Sequence, residues 1–438
     1  MTATATATAL SQLRSLFPNA PNKVVTPALV DQYKTAVTVP WSQTCWTPAA
    51  AYMYLDTTGA RFAIRTTGHN PNLNSRELIS TNGDRNHRET IARGLGLSAI
   101  GERDPEAGLG GFLLGGMGAF PKLHGLGADA VRNFQALLAD GNLINANAEE
   151  NGDLYRALKG GGWNFGFPPS LIKVQYNINL HDPEDHDAIN QATVAVQHAM
   201  EEDRKIGMFT NFNNGFVAVG SLYAGHPAEP PRDLEPFRNL KSLVTTAVPV
   251  TSGTILSLAE VLSHDPAPLR RSICTTSTLI SHELYEDVYG AWVEVCKTLP
   301  TGIVLHYTIQ HLGKAGVQAG KDSGGYIMGY ESVPQTSDHS TNSRWIIACE
   351  WPKDDSGNSD VAAQKAVETM CKTIESLAEA RGVLLECKCM NFARGSQKVL
   401  VSYGAENVKR MQEVAAKYDL EGIFQTLQNG GFLPRDIL

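Results

Sequence analysis

Two short stretches of the chain carry residue types with clear chemical use. Arg65 to Asn70 reads RTTGHN, which sets a guanidinium, two hydroxyls, an imidazole and a carboxamide around one glycine. Gly108 to Gly118 reads GLGGFLLGGMG, in which Gly108, Gly110, Gly111, Gly115, Gly116 and Gly118 leave the backbone bare. Glycine loses more conformational entropy on folding than any other residue, so this concentration serves positive-φ turns or close approach of main-chain amides to another group. Successive bare amides form anion-binding nests, which suit a flat phosphorylated cofactor; a buried glycine-rich turn is the plainer reading. The run lacks the GxGxxG spacing of a dinucleotide fingerprint, and no Gly-Lys-Ser/Thr makes it a P-loop. His69 by itself, a lone histidine after a glycine, reads as a turn residue.

The elements that must position these residues follow from patterning. ARFAIR (60–65) alternates as a strand that ends at the RTTGHN turn. HGLGADAV (124–131) reads as a turn into a helix capped by Asp129, VRNFQALLADGNLINA as a strand pair around Asp140-Gly141, and Asp153 opens a helix over LYRALKGGG. Beyond Leu171, LIKVQYNINL is a strand, and PEDHDAINQATVAVQHAMEED is an amphipathic helix burying Ile189, Val194 and Met200. IGMFTNFNNGFVAVGSLYAG reads as a hairpin turning at Asn213-Asn214-Gly215. Helices over 255–263, 281–298 and 360–381, with strands GIVLHYTIQ (302–310) and RWIIACEW (344–351), complete an antiparallel sheet covered by helices. In the YTIQH segment, alternation puts Tyr307, Ile309 and His311 on one face and Thr308 and Gln310 on the other.

Composition bounds the class. The chain has 438 residues, 42% hydrophobic and 19% charged, enough apolar material for two or three globular domains. A formal net charge of −8 argues against nucleic acid, and the basic pair Arg270-Arg271 reads as a solvated face. No run of apolar residues suits a membrane span. The first residues, MTATATATALSQLRSLFPNAP, lack the pattern of a signal peptide, so a cytoplasmic protein is expected. The seven cysteines are an odd number without zinc-ligand spacing, which reads as reduced thiols and no metal centre. Cys387-Lys388-Cys389 reads as one face of a buried strand.

RTTGHN, the glycine run, HGLGADAV, DLYRALKGGGWNFG (153–166), MNFARGSQ (390–397) and SYGAENVKRMQEVAAKYDLEGIFQ (402–425) together resemble the berberine bridge enzyme-like FAD-linked oxidoreductases. These are flavoproteins of the vanillyl-alcohol-oxidase/p-cresol-methylhydroxylase (PCMH) type, and the resemblance runs from about Trp41 to Phe432 in motif order. It implies an α+β fold of two domains. After an N-terminal extension (1–40) would come the first part of a PCMH-type FAD-binding domain (41–170), an antiparallel-sheet substrate domain (171–390), and a segment (391–438) returning to the FAD domain.

The resemblance also implies roles. Arg65, Thr66, Thr67, Gly68, His69 and Asn70 would lie along FAD, with His69 joined to the flavin's 8α-methyl group. Gly110, Gly111, Gly115, Gly116, Gly118, Gly125, Asp129, Asn164 and Asn391 would complete the cofactor site. Asp104 stands where some relatives carry a cysteine making a second flavin link, which a carboxylate cannot make. Tyr307, Gln310 and His311 occupy the place of the relatives' catalytic residues; Gln310 stands where some have an acidic base, and a glutamine cannot accept that proton. Three segments that relatives have within the FAD fold are missing, after Thr47, after Asn74 and after Gly166. The implied activity is oxidation of a small organic molecule of secondary metabolism, with molecular oxygen as acceptor. A carbohydrate oxidase, and a truncated flavin-free pseudoenzyme or binding protein, stand as alternatives.

Overall fold

The alternation that runs from residue 171 to residue 351 becomes one large sheet in the protein. The computed structural model describes residues 25–38, 42–43, 115–138, 140–161, 173–262, 268–330, 342–354, 356–426 and 432–437. In chain order these include helix Val30–Thr38 (α1), the strand pair Asn133–Leu137 (β1) and Leu143–Asn147 (β2), and helix Gly152–Gly161 (α2). Strand Lys173–His181 (β3), helix His186–Glu202 (α3), and strands Ile206–Asn213 (β4), Phe216–Ala224 (β5) and Leu243–Thr254 (β6) follow. Next come helix Ile255–Val261 (α4), strand Arg270–Leu279 (β7), helix His282–Lys297 (α5), strand Val304–Leu312 (β8) and helix Lys314–Asp322 (α6). Strand Asn342–Trp351 (β9), helix Asn358–Ala380 (α7), the two-residue strand Leu384–Leu385 (β10) and helix Ala405–Tyr418 (α8) complete the main elements.

The sheet has eight antiparallel strands in the order β10-β7-β9-β8-β4-β5-β3-β6. The β4–β5 hairpin closes Asn213 on Phe216, with Gly215 at φ +86, a conformation that glycine takes without steric cost. Helices α3, α5 and α7 seal one face. Ile189, Val196 and Met200 of α3, Leu284, Val288 and Trp292 of α5, and Val367, Met370 and Ile374 of α7 meet Met208, Phe212, Leu305, Ile309, Trp345, Ile347 and Trp351 of the strands in one apolar core. Several polar groups inside it pair with one another: Tyr285 hydroxyl donates to Gln197 Oε1 at 2.9 Å, Gln197 Nε2 donates to Ser343 Oγ at 3.1 Å, and these bonds tie α5, α3 and β9 together.

Most elements lie within a few residues of the sequence expectation, and four readings are corrected. Strands β6 and β7 were not evident. β6 is an exposed edge strand that accommodates Pro249, as edges can. β7 is rich in serine and threonine and carries Arg270 and Arg271, which are not a solvated face: Arg270 pairs with Asp360, and Arg271, buried, donates from Nε to Glu350 Oε1 at 2.7 Å. HGLGADAV makes only a single 3-10 turn, Gly127–Ala130, rather than a helix. Cys387-Lys388-Cys389 lies beyond β10 in irregular chain, with both thiols buried. The six described cysteines are free thiols, and no helix of the described residues is long and apolar enough to cross a membrane.

The earlier and later parts of the chain meet the sheet at its ends. α8 returns to α2, where Lys417 Nζ donates to Asp153 Oδ2 at 2.6 Å and Tyr418 hydroxyl to Asp153 Oδ1 at 2.9 Å. At the end of β8 a buried cluster joins three segments: Lys122 Nζ lies 2.7 Å and His311 Nε2 3.0 Å from the same oxygen, Glu201 Oε1. Burial works to raise the Glu201 carboxyl, and the His311 hydrogen bond and the Lys122 charge outweigh it, holding it at about 2. Burial, then the Lys122 charge, lowers His311 to about 4, so at neutral pH it is an uncharged donor.

Both groups therefore take up protons more readily in the unfolded chain, His311 between its ordinary 6.5 and about 4 and Glu201 between 4.5 and about 2. The stability contributed by Glu201 and His311 is full above pH 6.5 and falls through those two windows on acidification, while burial lowers Lys122 to about 8 and so adds stability only as pH rises from there toward its ordinary 10.5. Glu201→Gln should lower stability at pH 7 by about 3 kcal/mol, because Lys122 is left buried and unpaired. It should also remove the loss contributed below pH 4.5; thermal melts from pH 7 to pH 3 on both proteins measure the difference.

Candidate active site

A sheet sealed on one face leaves the other for chemistry, and β8 divides its residues between them. Leu305, Tyr307 and Ile309 belong to the helix-covered core. Tyr307 stacks on Phe212 at 4.7 Å between ring centroids, with Trp292 and Trp345 at its edges. Its hydroxyl is buried without a hydrogen-bond partner among the described residues, and burial pushes its pKa well above the usual phenol value. His311 shares that side and is held by Glu201. Tyr307 and His311, the two candidates for a catalytic role on this side, therefore lie across the sheet from the face that carries Gln310. Gln310 points the other way and lies on the open face with Thr308 and His306.

The register identifies what stands beside Gln310. Arg344 is directly opposite it across the β8–β9 ladder, Ile346 is opposite Thr308, and Asn211 of β4 is opposite Thr308 on the other side. Asn211 Nδ2 donates to Thr308 Oγ1 at 2.9 Å and lies 3.2 Å from His306 Nδ1. Gly220 of β5 lets the Phe209 ring lie flat across the sheet, since a Cβ there would fall 2.2 Å from Phe209 Cε1. Thr308, Ile346, Asn211 and Phe209 are all partly exposed.

Arg344 is a residue on this face that the sequence reading did not single out. It is 2% exposed, donates from Nη2 to Tyr330 hydroxyl at 2.7 Å, and its guanidinium carbon sits 5.7 Å from the Tyr330 ring centroid. Among the described residues its Nη1 is buried with no partner, and so is Gln310 Oε1. The available signal was alternation in RWIIACEW, which sets Arg344 on the face opposite Trp345, Ile347, Cys349 and Trp351.

The chain segments that adjoin this face come from far apart in sequence. Gly115, at φ +124, lies beside Asn391: a Cβ on Gly115 would be 3.7 Å from Asn391 Oδ1 and 2.8 Å from Met328 Sδ. Cys389 Sγ donates to Gly115 O at 3.8 Å, and Cys387 Sγ to Met328 O at 3.1 Å. Gly160 leaves α2 at φ +96, and its missing side chain admits Met328. Tyr403 hydroxyl donates to Gly160 O at 3.3 Å. Met117, Met328, Tyr330, Cys387, Met390 and Tyr403 form one apolar cluster around this seam.

Of the cofactor residues expected from sequence, Gly115, Gly116, Gly118, Gly125, Asp129 and Asn391 are described, and the first three and Asn391 meet at or near the seam. Gly116 and Gly118 are buried there, and Gly127 N donates to Gly116 O at 2.8 Å. Gly125 and Asp129 are explained by the local turn: Asp129 Oδ2 accepts from Leu126 N at 2.7 Å and occupies the space that a Cβ on Gly125 would need. Arg65 to Asn70, Gly110, Gly111 and Asn164 lie outside the described residues. The residues present fit a flat polar cofactor at the seam: a side-chain-free Gly115 beside a carboxamide, next to a sheet face with an unpartnered buried donor and acceptor.

No family model matches the chain. The chain is 30% identical over 374 residues to the FAD-dependent monooxygenase FUP4 of Fusarium proliferatum, covering 76% of this chain and 68% of the relative. It is 29% identical over 414 residues to the FAD-dependent monooxygenase macF of Penicillium terrestre, covering 85% of this chain and 76% of that one. Among solved structures, a chitooligosaccharide oxidase aligns over 97% of this chain and 99% of its own at a TM-score of 0.72 and 17% identity. The BBE-like 1 protein of Physcomitrella patens aligns over 95% and 96% at a TM-score of 0.69 and 16% identity. At these identities the solved structures are similar in fold.

Gly160→Ala tests the seam. A left-handed backbone alone costs roughly 1 to 2 kcal/mol for a residue with a Cβ. The loss should exceed that, because the new methyl would sit 2.2 Å from Met328 Cγ. In chemical denaturation the pair Gly160→Ala with Met328→Ala should be less destabilised than the sum of the two single changes; strict additivity would contradict the contact.

Proposed function

The chain belongs to the berberine bridge enzyme-like FAD-linked oxidoreductases of the vanillyl-alcohol-oxidase type, and on that premise we propose that it oxidises a small organic intermediate of secondary metabolism, with molecular oxygen as the acceptor. The fungal relatives named as FAD-dependent monooxygenases support both the flavin and the oxygen. The observation that carries the reading is the meeting of Gly115 and Asn391 beside an open sheet face whose Arg344 and Gln310 have polar atoms without partners.

Within this proposal, residues 41–170 and 391–438 make up the cofactor unit and 171–390 the substrate unit. Arg65 to Asn70, Gly110, Gly111, Gly115, Gly116, Gly118, Asn164 and Asn391 would hold FAD, and His69 would make the covalent link. Bound FAD supplies the hydride acceptor, and an imidazole bond to its ring withdraws electron density and raises its potential. Gln310 holds a substrate hydroxyl rather than accepting its proton, since a carboxamide oxygen takes a hydrogen bond and not a proton. Proton acceptance falls to a group other than Tyr307, Gln310 and His311.

The carbohydrate-oxidase alternative calls for an open groove lined with aromatic rings. Trp292, Trp345 and Trp351, the described tryptophans, are buried in the core under the helices, so none of them lines the face that carries Gln310. The flavin-free alternative makes a separate prediction about colour.

The purified protein should absorb near about 370 and 450 nm, the bands of oxidised flavin. After acid precipitation the colour should stay with the pellet, and in His69→Ala it should pass to the supernatant. A colourless protein that FAD cannot restore would contradict the oxidoreductase reading; colour released by acid from the unaltered protein would contradict only the covalent link.

A further inference from the structure

Arg344 is a buried cation on the sheet face that carries Gln310. Removing a guanidinium from water is costly unless a partner compensates, and among the described residues no carboxylate pairs with it. Of the acidic groups around it, burial pushes the phenols of Tyr330 and Tyr403 well above their ordinary value and raises the Cys387 thiol to about 12, so these three are uncharged at neutral pH. One edge of the guanidinium is used by Tyr330, while among the described residues Nη1 has no acceptor. Directly opposite in register, on the same face, Gln310 Oε1 has no donor among them either. A cationic donor and a neutral acceptor thus stand side by side, both unfilled, at the buried end of a strip whose other members, Thr308, Ile346 and Asn211, are partly exposed.

We propose, resting on the oxidoreductase reading, that Arg344 and Gln310 form a substrate subsite for an acidic oxygen flanked by a hydroxyl. A carboxylate, enolate or phenolate oxygen accepts from Arg344 Nη1, and the adjacent hydroxyl donates to Gln310 Oε1. The substrate is then an acid, an enolised dicarbonyl or a phenol with neighbouring oxygens, and its charge neutralises the buried guanidinium. The ring edge of a flavin also sets an acceptor beside a donor, so the test must separate cofactor from substrate.

Isothermal titration of the purified full-length protein with salicylate, its neutral amide salicylamide, and benzoate, alongside the visible spectrum, makes the separation. Salicylate should bind more tightly than either analogue. Arg344→Gln should weaken salicylate roughly 10- to 100-fold, the worth of a hydrogen bond to a charged group, while leaving salicylamide binding and flavin absorbance unchanged. Gln310→Leu, which does not touch the guanidinium, should abolish the preference for salicylate over benzoate and keeps the test open if Arg344→Gln fails to fold. The proposal is overturned if the unaltered protein does not bind salicylate or binds salicylamide equally well. It is also overturned if Gln310→Leu keeps the preference, or if folded Arg344→Gln loses flavin absorbance, which would give the guanidinium to the cofactor. A colourless protein counts against the oxidoreductase reading alone. If that protein still discriminates salicylate through Arg344 the subsite stands, and if it does not the subsite fails as well.

Discussion

The interaction on which the rest depends is the packing of α3, α5 and α7 against one face of the sheet. Period-two alternation gives each strand two sets of side chains, and the helices take one set entirely: Trp345, Ile347 and Trp351 from β9, Leu305, Tyr307 and Ile309 from β8. Polar residues left on the other face must be solvated, paired or reserved for a ligand. Arg344 and Gln310 are buried there and not fully paired, so the sealed face indirectly marks where chemistry belongs. A one-residue slip of β8 or β9 would exchange the two sets, placing Arg344 among the tryptophans.

Glycine placement joins this face to the chain that precedes it. Gly115 and Gly160 both take positive φ and both give up their side-chain space to Met328, while Asn391 and Cys389 close on Gly115 from near the other end of the chain. Part of the glycine concentration is thus used for protein packing, the plainer of the two readings that composition permits, and part lies beside the open face. The Lys122–Glu201–His311 cluster secures a second junction. There Lys122 holds the one-turn helix Pro121–His124 to Glu201 of α3, and His311, which looked chemical in the YTIQH segment, ties β8 to the same carboxylate.

Where local patterning dominates, the sequence was legible. The β4–β5 hairpin at Asn213-Asn214-Gly215, α3, α5 and α7, and the division of Tyr307 from Gln310 all follow from alternation and helical period. What escaped depends on distant partners. β7 reads as polar because its Thr275 and Thr278 hydroxyls find their partners at Trp345 across the sheet and its arginines theirs at Asp360 and Glu350. Tyr307 and His311 share a strand with Gln310, and only the placement of the helices decides which side is covered. Arg344 looked like the polar start of a strand; its significance lies in an unpaired Nη1, which requires knowing everything around it.

A crystal structure of the purified protein with its flavin bound would test the central claim most directly. The account predicts the isoalloxazine ring between the Gly115–Gly118 segment with Asn391 and the open sheet face, with Gln310 and Arg344 turned toward the substrate space beside it. A ring bound elsewhere on the protein, or held with Gln310 and Arg344 facing away from it, would contradict the account.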